Sequence, residues 1–221
     1  MKYQFLIALV ALSLSACSTL QPHEKAANAQ AQTAGLAAVK KSHFDISYVL
    51  PAAQLSQYKK IILSDVDFSS VKIRRSTTSV YDETPWELND SDKEYFQQKY
   101  RQAADDYVFK KGKFSAANNP ASDTLVLKIK IVEIAPLGTK DDSKGRPNMV
   151  DVYTQGFGRM TAVFELYDST NQKLLALASD EQELGYMWEK NNRVQANIRV
   201  KLAFEYWMKK LSEEIPVWSK Q

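Results

Sequence analysis

The sequence predicts an α+β fold: a two-layer sandwich in which a mostly antiparallel sheet carries two helices on one face. Residues 124–134 alternate apolar and polar side chains with the period of two that half-buried strands show. Residues 91–111 and 192–213 instead repeat apolar side chains at helical spacing. The predicted element order is β-α-β-β-β-α, and two helices on one face of the sheet is its simplest packing.

The first half of the domain is predicted to contain a strand, an extra strand and a helix. Residues 58–68 have the β-branched content of a strand, and residues 71–73 in the polar stretch that follows are a candidate extra strand. A capping box of Ser91 and Glu94 marks the start of the helix. Its predicted core-facing side chains are Phe96, Tyr100, Ala103, Tyr107 and Val108.

The second half is predicted to contain a hairpin and a final helix. Residues 152–167 and 173–179 read as two strands joined by turn residues, and Gly156 and Gly158 predict a bulge or bend in the first of them. The final helix is predicted over residues 192–213. Its predicted core-facing side chains are Ala196, Val200, Ala203, Trp207 and Leu211.

The first 16 residues have the three parts of an export signal. Lys2 supplies positive charge, residues 5–14 form an apolar run, and the small residues Ser15 and Ala16 end the segment. The apolar run is much shorter than the roughly 20 residues that a membrane-spanning helix needs. We therefore expect residues 1–16 to be a signal peptide.

The end of this leader resembles the lipobox of bacterial lipoproteins. Leu14-Ser15-Ala16-Cys17 matches its pattern, and Cys17 is the single cysteine of the chain. The resemblance implies cleavage before Cys17, attachment of lipid to its sulfur and acylation of its amino group, which together anchor a protein firmly. Ser18 stands where Asp would retain an enterobacterial lipoprotein in the inner membrane. We therefore expect a lipid anchor in the outer membrane, with the protein facing the periplasm.

The segment after the anchor differs in composition from the rest of the chain. Residues 17–43 are rich in Ala and Gln and poor in aromatic and β-branched residues, which predicts a flexible tether. A short Ala-rich helix is the alternative. A single α+β domain is predicted over residues 44–221.

Several stretches resemble a family of small Gram-negative lipoproteins that is catalogued only as a domain of unknown function. The resemblance covers most of the chain after about residue 44, implies location and fold, and brings no catalytic residues. Its motifs are residues 58–62, 65–67 and 165–169, Leu174-Leu175, Asp180, Gly185, Ala203-Phe204, Trp207 and Leu211.

Composition and residue types argue against several function classes. A formal charge of +3 is small for a bulk nucleic-acid binder, which would carry a strongly basic domain. His23 and His43 lie in the predicted tether or at its boundary, so neither is placed as a general base in the core. Gly156-Phe157-Gly158 inside a strand predicts backbone geometry rather than a phosphate-binding loop. We expect no cofactor, no metal site and no nucleic-acid partner.

Two groups of charged residues are candidate sites. Asp65 and Asp67 share one face of the predicted strand, where they could hold a divalent cation or act as an acid and base pair. The alternative is a solvent-facing strand end, which the sequence favours because nothing else completes a site. A basic surface that faces lipid headgroups or anionic polymers could form from Lys72, Arg74, Arg75, Lys128 and Lys130. The alternative is that these side chains are scattered over the surface and solvated.

Two tryptophans lie in segments predicted to be irregular. Trp86 and Trp188 could contact a protein partner or a glycan, or could each form a lid over the core edge.

The leading hypothesis is a non-enzymatic lipoprotein that binds an envelope protein or a cell-wall component. One alternative is an envelope hydrolase or transferase that uses Asp65 and Asp67. The other is an accessory subunit of an envelope transport complex.

Replacement of Cys17 by Ala tests the anchor. Because the sulfur is the predicted attachment atom, the variant should lose lipidation and accumulate as uncut precursor or as soluble periplasmic protein. Fractionation of cells that express the wild-type chain or the variant measures this. Recovery of the cleaved variant in washed outer membranes at wild-type yield would contradict the lipoprotein prediction.

Overall fold

The computed structural model describes residues 21–51, 53–74, 87–137, 151 and 153–221. The fold is α+β, with three helices in this part of the chain and a mixed, mostly antiparallel sheet. Cys17, Ser18, Arg75 and Trp86 lie outside the described residues.

The helices are α1 (Pro22–Thr33), α2 (Asp90–Ala104) and α3 (Arg193–Trp218). The strands are β1 (Ala37–Ala38), β2 (Ile46–Val49), β3 (Lys60–Leu63), β4 (Lys72–Ile73), β5 (Ser115–Ala116), β6 (Thr124–Pro136), β7 (Tyr153–Gln155), β8 (Gly158–Asp168), β9 (Leu174–Glu183) and β10 (Trp188–Lys190).

The main sheet has the strand order β1-β2-β9-β8-β6-β3-β5, and β4 also pairs with β6. The predicted hairpin is present as the antiparallel pair β8 and β9. The sheet is mixed because β3 and β4 run parallel to β6, and β5 runs parallel to β3. A separate two-stranded ribbon forms from β7 and β10.

The alternation along β6 orients the sheet as predicted. Leu125, Leu127, Ile129 and Ile131 are completely buried in the main core, whereas Lys128 and Lys130 are half-buried on the opposite face. Helices α2 and α3 cover the apolar face of the sheet. Phe164 in β8 packs its ring 5.6 Å from that of Trp207 in α3, measured between centroids.

The first core helix begins earlier than its sequence motif predicts. The residue that caps α2 is Asn89, whose side chain accepts a hydrogen bond from the amide of Asp92 at 2.9 Å. The Asp92 carboxylate accepts one in return from the amide of Asn89. Asn at the cap therefore takes the role that we predicted for Ser91, since its side chain also reaches the third helical amide. The helix continues into a π-helical turn over Asp105–Lys110.

A third helix lies on the face opposite α2 and α3. Glu165 follows Phe164 in β8, so its side chain points to the other face, where it accepts a hydrogen bond from Gln30 of α1 at 2.7 Å. The predicted arrangement of two layers with two helices on one face is therefore not confirmed. Neither is the predicted element order, because α1, β1 and β2 precede β3.

The described part of the predicted tether packs against the sheet. Ala27 and Ala31 of α1 are buried against Val163 and Leu177. Their spacing of four residues puts both on one helix side, and their small size allows the helix to approach the strands closely. The alanines that suggested a tether thus form the side of α1 that packs against the sheet.

Two buried carboxylates attach α3 to the sheet. Asp180 in β9 accepts hydrogen bonds from the Trp207 indole at 3.0 Å and from the Lys210 ammonium at 2.7 Å. Glu214 in α3 accepts hydrogen bonds from Ser47 in β2 and from the amide of His43. Burial raises the pKa of Asp180, and the hydrogen bond from Lys210 opposes that effect.

Truncation of Trp207 tests the packing of α3. The Trp207→Ala variant loses a completely buried side chain and the indole donor to Asp180, so we expect a loss of about 3 to 5 kcal/mol in the free energy of unfolding. That is a large part of the roughly 5 to 15 kcal/mol of a typical domain. Its neighbour Tyr206 is about half exposed, so Tyr206→Ala is the matched control with a much smaller loss. Equal urea midpoints for the two variants would contradict this account.

Candidate functional site

The ribbon of β7 and β10 presents an aromatic face to solvent. Trp188 lies opposite Gln155, and Lys190 lies opposite Tyr153. These four side chains are exposed, while the alternate residues Thr154 and Glu189 point inward. The exposed Tyr186 and Met187 directly precede β10. We call Tyr153, Tyr186, Met187 and Trp188 the aromatic ribbon surface.

Glycines and one ion pair hold the ribbon in place. Gly156 has φ of +74°, and a Cβ there would lie 2.1 Å from the Gly185 carbonyl oxygen, so the close approach of the two segments requires glycine. The chain bends at Gly156, as predicted, and this bend divides the predicted strand into β7 and β8; Gly158 has φ of +105° at the start of β8. On the inward side, the Glu189 carboxylate pairs with the Arg199 guanidinium of α3. The ribbon is thereby fixed beside the first turns of α3.

Trp188 does not act as a lid over the core. Its side chain is 70% exposed, and that of Tyr186 is 73% exposed. The structure therefore removes the lid interpretation for Trp188 and places this residue on an open surface. Contact with a partner remains a prediction for Trp188.

A second exposed apolar row lies on α3. Val194, Ile198, Leu202 and Tyr206 follow one another at intervals of four residues, which places them in one ridge along the helix surface. We call these four residues the α3 ridge. The sequence contains this signal, but the core-facing residues that we predicted for this helix lie on its opposite side.

The large exposed hydrophobic side chains in the described residues fall into these two rows and one further residue. They are the four residues of the aromatic ribbon surface, the four of the α3 ridge, and Leu137, which lines a groove beside the ribbon. Exposed apolar residues scattered singly are normal on a protein surface, but their grouping marks an interaction site.

The groove lies between the ribbon and the adjacent ends of β6, β8 and β9. Its volume is about 390 Å³. It is lined by polar and by apolar side chains together with the backbone of Gly158 and Gly185. Side chains that line it include Arg74, Pro136, Gln155, Arg159, Glu183 and Tyr186.

The candidate carboxylates Asp65 and Asp67 have separate local partners. Asp65 is exposed just after β3 and accepts hydrogen bonds from Arg101 at 2.6 Å and Gln97 at 2.9 Å, both in α2. Asp67 accepts a hydrogen bond from the amide of Ser69 at 2.8 Å. Hydrogen bonds from Ser69 hold the pKa of Asp67 below its ordinary value. Asp65 therefore connects the segment after β3 to α2, and Asp67 stabilises the turn that contains Ser69.

His43 lies closer to the core than its sequence position suggested. Its Nδ1 lies 2.8 Å from a carboxylate oxygen of the buried Glu214, and the hydroxyl of Ser47 donates to the other oxygen at 3.0 Å. In a serine hydrolase triad the serine instead bonds to the histidine. Within the described residues, no group of three His, Cys, Asp or Glu side chains is arranged to hold a metal ion.

The candidate basic residues have separate partners as well. Lys130 pairs with the buried Glu165 at 2.6 Å, and Arg74 pairs with Glu133 at 2.8 Å. The Lys128 ammonium lies 4.5 Å from the centre of the Tyr167 ring. These cations serve contacts within the domain.

The model of the family described as "Protein of unknown function (DUF3313)" matches residues 25–211. The chain belongs to this family. The match confirms the predicted membership of a domain of unknown function, and its start at residue 25 includes most of α1. No curated protein matches the chain.

Several solved structures are similar to this DUF3313 protein at low identity. A Xanthomonas campestris protein of the family DUF330 is 12% identical, with a TM-score of 0.42 over 76% of this chain and 89% of that one. A PelC dodecamer from Paraburkholderia phytofirmans is 13% identical, with a TM-score of 0.35 over 75% and 94%. A homologue of neuraminyllactose-binding hemagglutinin from Helicobacter pylori is 8% identical, with a TM-score of 0.37 over 73% and 88%. Likenesses this distant assign no function to the chain.

In the part of the chain that the structure describes, none of the helices has the length and apolar character to cross a membrane.

The pH dependence of stability tests the role of Asp67. Because its pKa is lowered on folding, its ionised form contributes stability above its ordinary pKa, and that contribution disappears as the pH falls through the lowered value. We expect Asp67→Asn to be less stable than the parent at pH 7, by less than about 1 kcal/mol, and the difference to shrink at pH 2 as the carboxylate becomes protonated. Urea unfolding at both pH values measures this.

Asp65→Asn is the matched control, because its surface ion pair should contribute little in 0.5 M salt. A constant stability difference between parent and Asp67→Asn at both pH values would contradict this role. Loss of function in cells by a folded, abundant double variant would instead make the carboxylate pair the site.

Proposed function

We propose that this protein is a lipid-anchored binding module of the bacterial outer membrane that docks another envelope component from the periplasmic side. The aromatic ribbon surface and the α3 ridge form its docking surface. The lipobox ending at Cys17 supports the anchor, and Ser18 supports the outer membrane as its destination. The observation that carries the docking role is that eight of the nine large exposed hydrophobic side chains of the described residues lie in two rows, the aromatic ribbon surface and the α3 ridge.

The amount of exposed apolar surface fits a docking role. If each of the eight side chains of the docking surface offers roughly 100 Å², the total is about 800 Å², the area that one partner buries in a standard protein interface. Aromatic and methionine side chains, which are enriched at interfaces, form the ribbon part. Covering this surface would remove it from water and so favour association.

The local structure supports a surface that is rigid before binding. The Glu189–Arg199 pair connects the ribbon to α3, and Tyr95 of α2 donates a hydrogen bond to the Asn197 carbonyl of α3 at 2.9 Å. A backbone that is already held in place loses less conformational entropy when a partner binds. An accessory subunit of a transport complex would use the same surface and would differ in the identity of its partner.

Site-specific photo-cross-linking in living cells tests the proposal. A benzophenone amino acid in place of Ile198 or Trp188 should form covalent adducts, because a bound component lies within reach of both positions. The control is the same amino acid in place of Gln98, an exposed residue of α2 outside the docking surface. Adducts from Gln98 alone, or from none of the three positions in a correctly localised protein, would contradict the proposal.

A further inference from the structure

We propose that the groove beside the aromatic ribbon surface is a binding site for an uncharged saccharide chain. This inference rests on the proposed binding function and specifies the ligand class of one part of the docking surface. The observation that suggests it is the meeting of a groove rich in hydrogen-bonding side chains with a row of open aromatic rings.

The groove supplies donors and acceptors together. Arg74 and Arg159 each carry five N–H donors. Within the described residues, Glu133 accepts hydrogen bonds from two donors of Arg74, and Glu181 accepts one from Arg159. Glu183 supplies carboxylate acceptors, and the Gln155 amide supplies both kinds of group. Sugar hydroxyls donate and accept at the same oxygen, so a ligand with many hydroxyls can use both sets.

The charges around the groove argue against an anionic ligand. Arg74 is bound by Glu133 through both carboxylate oxygens, and Arg159 lies 3.2 Å from Glu181. On the ribbon, Lys190 pairs with Asp151 at 2.6 Å. An anionic ligand would have to compete with these carboxylates for each cation. A neutral polar ligand could bind while every ion pair remains in place.

The aromatic ribbon surface continues from the groove. Gln155 lines the groove and is the cross-strand partner of Trp188, with Tyr153 two residues before it on the same ribbon face. Tyr186 lines the groove itself. Pyranose rings have an apolar face of C–H groups and a polar rim, so aromatic rings beside hydrogen-bonding side chains complement both parts of a sugar.

The dimensions suit a few sugar units. The volume of about 390 Å³ lies in the range of small-molecule sites, which starts near 300 Å³. The three-residue ribbon adds a row about 10 Å long. A chain that enters the groove would therefore continue across Trp188, which gives an extended ligand more contacts than a single sugar.

An array of bacterial polysaccharide fragments and chitin oligosaccharides tests the inference. The probe protein is the full mature chain with Cys17→Ala, which stays free of lipid, and calorimetry then measures the affinity for each glycan bound. We expect binding to uncharged glycans, weakened at least tenfold by Trp188→Ala and by Gln155→Ala. Gln98→Ala, which lies outside the docking surface, should stay within twofold of the parent.

Three results would overturn the inference. The first is the absence of glycan binding, and the second is equal binding by the folded Trp188→Ala and Gln155→Ala variants. The third is a loss of affinity of tenfold or more between 0.05 and 0.5 M salt, because uncharged ligands are little affected by screening. Cross-linking from Ile198 that persists while glycan binding is absent would overturn this inference alone. Absence of both would overturn the docking function too.

Discussion

The orientation of α3 depends on two carboxylates that have no contact with solvent. Asp180 and Glu214 are completely buried, and a buried charge is strongly destabilising unless it is paired and hydrogen-bonded. Their donors come from α3 itself, from β2 and from the segment that precedes β2. Rotation of α3 by one residue would remove Trp207 and Lys210 from Asp180 together. The network therefore selects one face of the helix for the sheet and leaves the α3 ridge outside.

The same network connects the two ends of the described chain. The amide of Asp45 donates to Asp180, and the hydroxyl of Ser47 receives a hydrogen bond from the Trp218 indole near the end of α3. Residues that precede β3 thus complete the packing of the last helix. The packing of α3 therefore depends on β2 and on the segment that precedes it.

Sequence patterns predicted the elements whose burial repeats regularly. The alternation along β6, the hairpin of β8 and β9 and the core stripe of α3 are clear in the sequence because each buries one complete face. Patterns could not predict the parallel pairing of β3 with β6, which joins residues far apart in the chain. Nor could patterns predict the burial of Asp180, since nothing local distinguishes a buried carboxylate from a solvated one.

The candidate site was predictable only in part. Trp188 was singled out by its type and its irregular surroundings, but its exposure depends on the bend at Gly156 and the ion pair of Glu189. The α3 ridge is visible in the sequence as apolar residues at intervals of four, but the pattern that predicts the core row does not predict a second apolar row that stays exposed. The hydrogen bonds of Trp207 and Lys210 to the buried Asp180 fix which side of α3 faces the sheet. Asp65 and Asp67 looked like a pair because of their spacing, and the structure gives each carboxylate different neighbours.

The central claim is that the docking surface is covered in the native envelope. Hydroxyl-radical footprinting measures this directly, because Tyr186, Met187, Trp188 and Tyr206 are reactive and exposed in the isolated chain. His23 on α1 serves as an internal reference in the same digest. We expect strong labelling of these four side chains in the purified protein and at least a threefold lower rate in intact outer membranes. Equal rates in the two preparations, with His23 also unchanged, would contradict it.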